Sequence, residues 1–187
     1  WSVEAGVNYN AAGDYRLRAQ YDPLGGGKGN NYARENYDQF ITDDHGHGTH
    51  VTSVAASSDI VNGHYVGVAP GADLVAVRAF DENGTSTYAT VIGAIEWAVE
   101  RRDVFGIDVL NLSISAPPQS HYWQDPLNQA VMAAWQAGIV VVVSAGNEGP
   151  DPMTIGVPGN VPYVITVGAT TDNFTPDDGS DDKLASF

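Results

Sequence analysis

A chain of 187 residues suffices for one domain with its own core, and 43% hydrophobic residues with 21 glycines and 10 prolines exclude a disordered or coiled-coil chain. Eight basic against 23 acidic groups give a net charge of −15, which repels phosphate backbones and excludes nucleic acid as a partner. The lack of cysteine excludes disulfides, thiolate metal sites and a cysteine nucleophile, and the longest aliphatic run, Ile139–Val143, is far short of the roughly 20 residues of a membrane span.

Seventeen of the acids are Asp, and the only lysines are Lys28 and Lys183, a balance suited to solubility in salty water. The chain opens at Trp1 with no apolar leader and stops at Phe187 in mid-pattern, so a piece cut from a longer protein is expected.

Residues 1–46 are polar and show little periodicity, and Pro23–Asn31 reads as a surface loop; this irregular N-terminal part precedes a core over 47–187 within one partial domain. His47–Ser57 has small and apolar residues at helical spacing. Ala72–Phe80 is a β-branched strand, and Ser86–Arg102 a helix with Val91, Ile92, Ala94, Ile95 and Ala98 on one face. A strand at Ile107–Ser113 and a helix at Pro126–Gln136, stopped by Gly138, follow. Ile139–Ser144 is apolar on both faces, as a central strand of a parallel sheet is, and Val161–Val167 is a further strand. Strands alternating with helices predict an α/β three-layer sandwich around a mainly parallel sheet. Its working surface lies beyond the carboxyl ends of the strands, at Asp81–Tyr88, Ile114–Ser120 and Ala145–Pro150.

Two motifs carry chemistry. Asp43-Asp44-His45-Gly46-His47-Gly48-Thr49-His50-Val51 places three histidines around a helix start. Zinc is the lesser reading, because no Glu stands between His47 and His50 and neither His64 nor His121 completes a site. The stronger one is a single imidazole base flanked by glycines that let a substrate approach. Val143-Ser144-Ala145-Gly146-Asn147-Glu148-Gly149 follows the most apolar strand, where a side-chain amide can face an oxyanion.

Together, His47-Gly48-Thr49-His50-Val51 and Ser144-Ala145-Gly146-Asn147-Glu148-Gly149 resemble the subtilisin-like serine proteases. Gly67-Val68-Ala69-Pro70, Ala94-Ile95-Glu96-Trp97-Ala98, Asn111-Leu112-Ser113, Pro158-Gly159 and Ala185-Ser186-Phe187 extend the resemblance. It implies a serine endopeptidase with a Ser-His-Asp triad, His47 as general base, Asn147 as oxyanion donor and His50 as a structural histidine. The resemblance further implies that a polypeptide substrate pairs as a strand along Leu112, Ser113, Ile114 and Ser115. Tyr88 and Val91 would line the pocket for the residue four before the cut, and Ser144, Ala145 and Gly146 would form one wall of the primary pocket. By the same resemblance the protein is a secreted monomer without membrane or nucleic-acid partners, needs no cofactor for the chemistry, and is compatible with structural calcium.

Three departures stand out. Ser113-Ile114-Ser115 replaces the usual Ser-Leu-Gly, which narrows an edge of the primary pocket. Val3-Glu4-Ala5-Gly6-Val7 resembles the family's Asp box with Glu4 in place of Asp. The Gly-Thr-Ser-Met-Ala nucleophile box is absent, and Gly84-Thr85-Ser86 reads instead as a helix cap and substrate-side loop. These 187 residues alone are therefore expected to be inactive. The rival readings are a catalytically dead peptide-binding module, which Glu4 would fit, and, more weakly, a histidine metal site on an α/β domain. The acidic stretch Asp172–Asp182 lacks EF-hand spacing and is expected to be a solvated loop, and no calcium loop is recognisable in Ser57–Tyr65.

Overall fold

Parallel strands joined by helices make this an α/β fold, as the alternating pattern predicts. The computed structural model describes residues 16–24, 42–175 and 177–187. These described residues fall into two compact units, one drawn from the positions up to 97 with 103–105, the other from 98–102 with 106 onwards.

In the first unit β1 (Leu17–Tyr21) pairs in parallel with β4 (Leu74–Val77), Leu17 opposite Leu74 and Tyr21 opposite Val77. β1 lies in the part expected to be irregular. Its five residues are too few for a periodic signal, yet Leu17 and Ala19 are buried. Between the two strands run α1 (His47–Ala56) and a short hairpin, β2 (Ile60–Val61) and β3 (His64–Tyr65). The hairpin turns on Asn62 and Gly63, both at positive φ, the pairing that suits a tight two-residue turn.

The last carbonyls of α1 have no partners within the helix and must find them elsewhere. Ser57 donates its amide to Ser53, Val68 to Val54 at 3.2 Å and Ala69 to Ala55 at 2.8 Å, while the guanidinium of Arg16 donates to Ala56. Arg16 is fully buried and also donates to the Pro70 carbonyl at 3.1 Å. The segment Gly67-Val68-Ala69-Pro70 thus closes the end of the helix that begins at His47. Gly67 is pressed so close that a Cβ there would stand 2.1 Å from the Ser57 nitrogen.

α2 (Tyr88–Glu100) starts two residues later than its periodicity predicts, because Thr87 is its cap and accepts the Thr90 amide at 3.2 Å. It buries Val91, Ala94, Ile95 and Ala98 as expected, with Trp97 on the same side where Ile92 was expected. Trp97 stacks on Tyr21 at 4.8 Å and on Phe105 at 6.0 Å, Phe105 ending the short α3 (Arg102–Phe105).

The second unit holds a three-stranded parallel sheet in the order β5 (Val109–Leu112), β6 (Val140–Ser144), β7 (Ile165–Val167). Val109 stands opposite Val140, Leu112 opposite Val143, and Ser144 opposite Val167. α4 (Pro126–Gln136) makes the crossover from β5 to β6 with the predicted bounds. Its cap is Asp125, which accepts the amides of Leu127 at 2.9 Å and Asn128 at 3.1 Å. Gly138 at φ 85 ends it. β6 is central as predicted but not buried on both faces. Val141 and Val143 are buried, whereas Val140 keeps 47% of its surface exposed. The acidic stretch forms the connection between β8 (Thr170–Thr171) and β9 (Lys183–Leu184), an antiparallel pair.

Substituting Gly67 by Ala drives a methyl group into the backbone at the end of α1, with no flexible side chain to yield. The expected cost is about 3 kcal/mol, read as a lower urea midpoint. A midpoint equal to wild type would show that the Gly67 contact is not needed for α1 to close.

Candidate active site

His47 is the first residue of α1 and is exposed at its start. The turn leading into it depends on Gly46, whose φ of 89 is reached without strain only by a residue lacking Cβ. Asp43 holds the turn. One of its carboxylate oxygens accepts the Gly46 amide at 2.9 Å, and the other accepts the amide and the hydroxyl of Thr49 at 2.7 and 2.6 Å. Thr49 is the third helical residue, so Asp43 satisfies one of the unpaired amides of the first turn from outside the helix. Burial pushes the Asp43 carboxyl up, but the Thr49 hydroxyl and the amides of Gly46, Thr49 and His45 outweigh it and hold the group below its ordinary value.

The flanks of this turn are fixed by the loop after β4. Asp44 pairs with Arg78 at 3.0 Å, and the His45 ring lies against Gly84, where a Cβ would stand 2.7 Å from Nε2. The His45 ring also meets that of His47 edge-on, with centroids 6.3 Å apart. Asp81 organises the 81–85 loop by accepting the Thr85 amide and hydroxyl, both at 2.9 Å, and these bonds hold its carboxyl below its ordinary value. Beyond the loop stand Tyr88, half-buried at the start of α2, and buried Val91. Ser86 donates its hydroxyl to the Ala79 carbonyl, which ties the loop to the strand before it.

In the second unit the structure brings together Leu112, Ser113, Ile114, Ser115, Ser144, Ala145, Gly146 and Asn147 at the carboxyl ends of β5 and β6. Leu112 ends β5, and the three residues after it run on without regular structure to Ala116, which bridges to Val157. Ser144 ends β6 and donates its hydroxyl to the Ile114 carbonyl at 2.7 Å, locking the two segments side by side. Ala145 donates its amide to Val167 at 2.9 Å, and Gly146 turns the chain at φ 99. Asn147 follows in an exposed bend.

Glu4 lies outside the described residues. His47 belongs to the first unit and Asn147 to the second. His50 is exposed on α1, and among the described residues no group of three or more His, Asp or Glu side chains is placed to hold a metal ion. Two contributors carried no sequence signal strong enough to find. Gly156, 10 residues beyond Gly146, sits against Ser115 because of long-range packing. Asp43 had a weak signal, an acid just ahead of a helix start with a Thr in the first turn.

A model of the subtilase family matches residues 6–187. Serine protease AprX of Bacillus subtilis (strain 168) is 44% identical over 151 residues, covering 78% of this chain and 34% of the relative. Subtilisin DY of Bacillus licheniformis is 40% identical over 138 residues, 73% of this chain and 47% of the relative. Among solved structures, that of sphericase superposes with a TM-score of 0.74 at 26% identity, covering 92% of this chain and 52% of that one. The chain therefore spans between about a third and a half of the length of these relatives.

Replacing Asp43 by Ala removes the support of the His47 turn and is expected to cost about 1 kcal/mol, the usual worth of such a cap. Because the folded-state value lies below the ordinary 3.8, this stabilisation is complete above that pH and disappears as the pH falls through the lowered value. Melting temperatures of wild type and Asp43→Ala should differ at neutral pH and converge as the pH falls through the lowered Asp43 value. A gap of the same size at both ends of that range would show that the carboxylate is not the source.

Proposed function

This chain belongs to the subtilase family, and on that premise we propose that it supplies the general base, the oxyanion donor and the substrate-binding walls of a serine endopeptidase. His47 takes the proton of a serine hydroxyl as its oxygen attacks the scissile carbonyl, and later returns that proton to the leaving amine. The side-chain amide of Asn147 donates to the oxyanion of the tetrahedral intermediate. Glu4 takes the place of the triad aspartate, accepting the imidazole N–H and fixing its tautomer. The polypeptide substrate lies extended along Leu112–Ser115, with Tyr88 and Val91 receiving the residue four before the cut.

The observation that carries this reading is the family match over residues 6–187, which runs through both motifs in the family's order. The chemistry of the two positions supports it. An imidazole stands exposed at the first position of a supported helix, and a side-chain amide stands exposed in the bend directly after β6, the two kinds of group that proton transfer and an oxyanion require. The 187 residues hold no Gly-Thr-Ser-Met-Ala box, and the hydroxyl of Ser86 is committed to the Ala79 carbonyl. The nucleophile is to be sought in the rest of the gene product. The chemistry requires no cofactor. Export from the cell and a monomeric state belong to the same proposal, and among the described residues no helix is long and apolar enough to cross a membrane.

The test compares the whole gene product with the 187-residue chain on casein and on chromogenic peptides. The whole product should cleave both, and the isolated chain neither. His47→Ala should abolish turnover, and Asn147→Ala should lower kcat by about 10²–10³, the loss known for the corresponding asparagine of a subtilisin. Turnover by the isolated chain, or full activity in His47→Ala, would refute these assignments.

A further inference from the structure

We propose that Ser115 sets the depth of the primary pocket and confines it to small side chains at the residue preceding the cut. The inference rests on the peptidase reading above and names its substrate class: polypeptides cleaved after glycine, alanine or serine.

Three segments of the second unit converge at this point, and four hydrogen bonds leave them little freedom. Ser144 donates its hydroxyl to Ile114 at 2.7 Å, joining the segment after β5 to the end of β6. Gly156 donates its amide to the Ala145 carbonyl at 3.0 Å, joining a third segment to the second. Ala116 and Val157 exchange amide bonds of 3.0 and 2.8 Å, joining the third to the first. Ser115 stands inside this closed frame, one residue from each of two tied positions, Ile114 and Ala116.

The two glycines facing it reveal where its hydroxyl goes. A Cβ on Gly146 would lie 2.8 Å from the Ser115 Oγ, and a Cβ on Gly156 would lie 2.0 Å from it. Gly146 has a backbone reason to be glycine, its φ of 99. Gly156 is not among the glycines at positive φ. What excludes a side chain at Gly156 is occupancy, by the Ser115 hydroxyl and by the Ala116 carbonyl 3.0 Å from where the Cβ would be.

The hydroxyl therefore fills the gap between two glycines whose missing side chains would otherwise leave a slot. Under the peptidase reading Ser115 and Gly146 belong to the walls of the primary pocket, so the volume Ser115 takes is volume a substrate side chain loses. A long apolar side chain would have to displace the hydroxyl or desolvate it without a partner, and both are costly. A glycine at position 115 removes both obstacles at once.

The experiment uses the whole gene product and tetrapeptide p-nitroanilides that differ only in the last residue, alanine or phenylalanine. The quantity read is the ratio of kcat/KM for the two peptides, which does not depend on how much of a variant is folded. Wild type should favour alanine by at least about tenfold, the scale on which pockets discriminate by a methylene or more. Ser115→Gly should move the ratio at least about tenfold towards phenylalanine, and Ser115→Ala, which keeps Cβ, part of the way. If Ser115→Gly folds poorly, the shift in Ser115→Ala decides. Equal cleavage after both residues by wild type, or a ratio unmoved by the variants, overturns the role of Ser115 and leaves the peptidase reading standing. If the whole product cleaves neither these peptides nor casein, the peptidase reading fails and the role of Ser115 fails with it.

Discussion

Everything proposed for His47 depends on a ten-residue helix held at both ends by groups outside it. A helix of this length is marginal by itself, since nucleation is unfavourable and only a few internal bonds repay it. At the start of α1, Asp43 closes the first turn through Gly46 and Thr49. At its end, Arg16 and the backbone of residues 67–69 take up the last carbonyls. Arg16 is the costlier of the two supports, because a buried charge must find hydrogen bonds or lose far more than it gains. It finds carbonyls of Ala56, Pro70 and Ala72, and so joins the helix to the chain entering β4. A base at the first helical position is only as well aimed as its helix, and these contacts are what aim it.

The second unit solves a different problem with the same economy. Irregular segments beyond the ends of β5 and β6 must keep a fixed shape without strand pairing along their length. The hydroxyl of Ser144, the amide of Gly156 and the paired amides of Ala116 and Val157 supply that shape. Loops that leave adjacent parallel strands are already close, so each added bond orders a segment at low entropic cost. The exposed bend at Asn147 is the last step of this chain of constraints, directly after Gly146.

Much of this was legible in the residues, unevenly and for physical reasons. α4 could be bounded to the residue because a proline opens it and a glycine at positive φ closes it, two local signals that tertiary packing does not alter. Strand bounds were legible only as regions. Ala72–Phe80 shrinks to Leu74–Val77 and Val161–Val167 to Ile165–Val167, because where pairing stops depends on the neighbouring strand. β1 was invisible because its partner, β4, lies more than fifty residues away in sequence. The two chemistry-bearing motifs were legible because each sits at a junction where glycine, a short polar side chain and a functional group must coincide. Ser115 was visible as a departure from a family pattern, but the gap it fills was not, since Gly156 reaches it only through the Ala116–Val157 bridge.

The charge composition acquires a structural reason once the carboxylates are followed individually. A surplus of acids over bases leaves few ion pairs to form, and two of them, Arg18 with Asp73 and Arg78 with Asp44, lie on the frame around β1, β4 and the start of α1. Other carboxylates are satisfied by their own neighbourhood. Asp43 takes Thr49, Asp81 takes Asn83 and Thr85, Asp125 takes Leu127 and Asn128, Asp178 takes Ser180, and Asp181 takes Asn173 and Thr175. Such bonds favour a carboxylate on a short stem, which reaches an amide or hydroxyl a few residues away with little side-chain entropy lost, and aspartate has a shorter stem than glutamate. Seventeen aspartates against six glutamates is thus what a chain needs if it fastens its loops with local carboxylate bonds. Because those bonds are short and directional, salt weakens them far less than it weakens exposed ion pairs. An acidic surface built this way carries its solubility and its loop geometry in the same side chains, and leaves the scarce arginines for the places, such as Arg16, where only a cation can bring several carbonyls together.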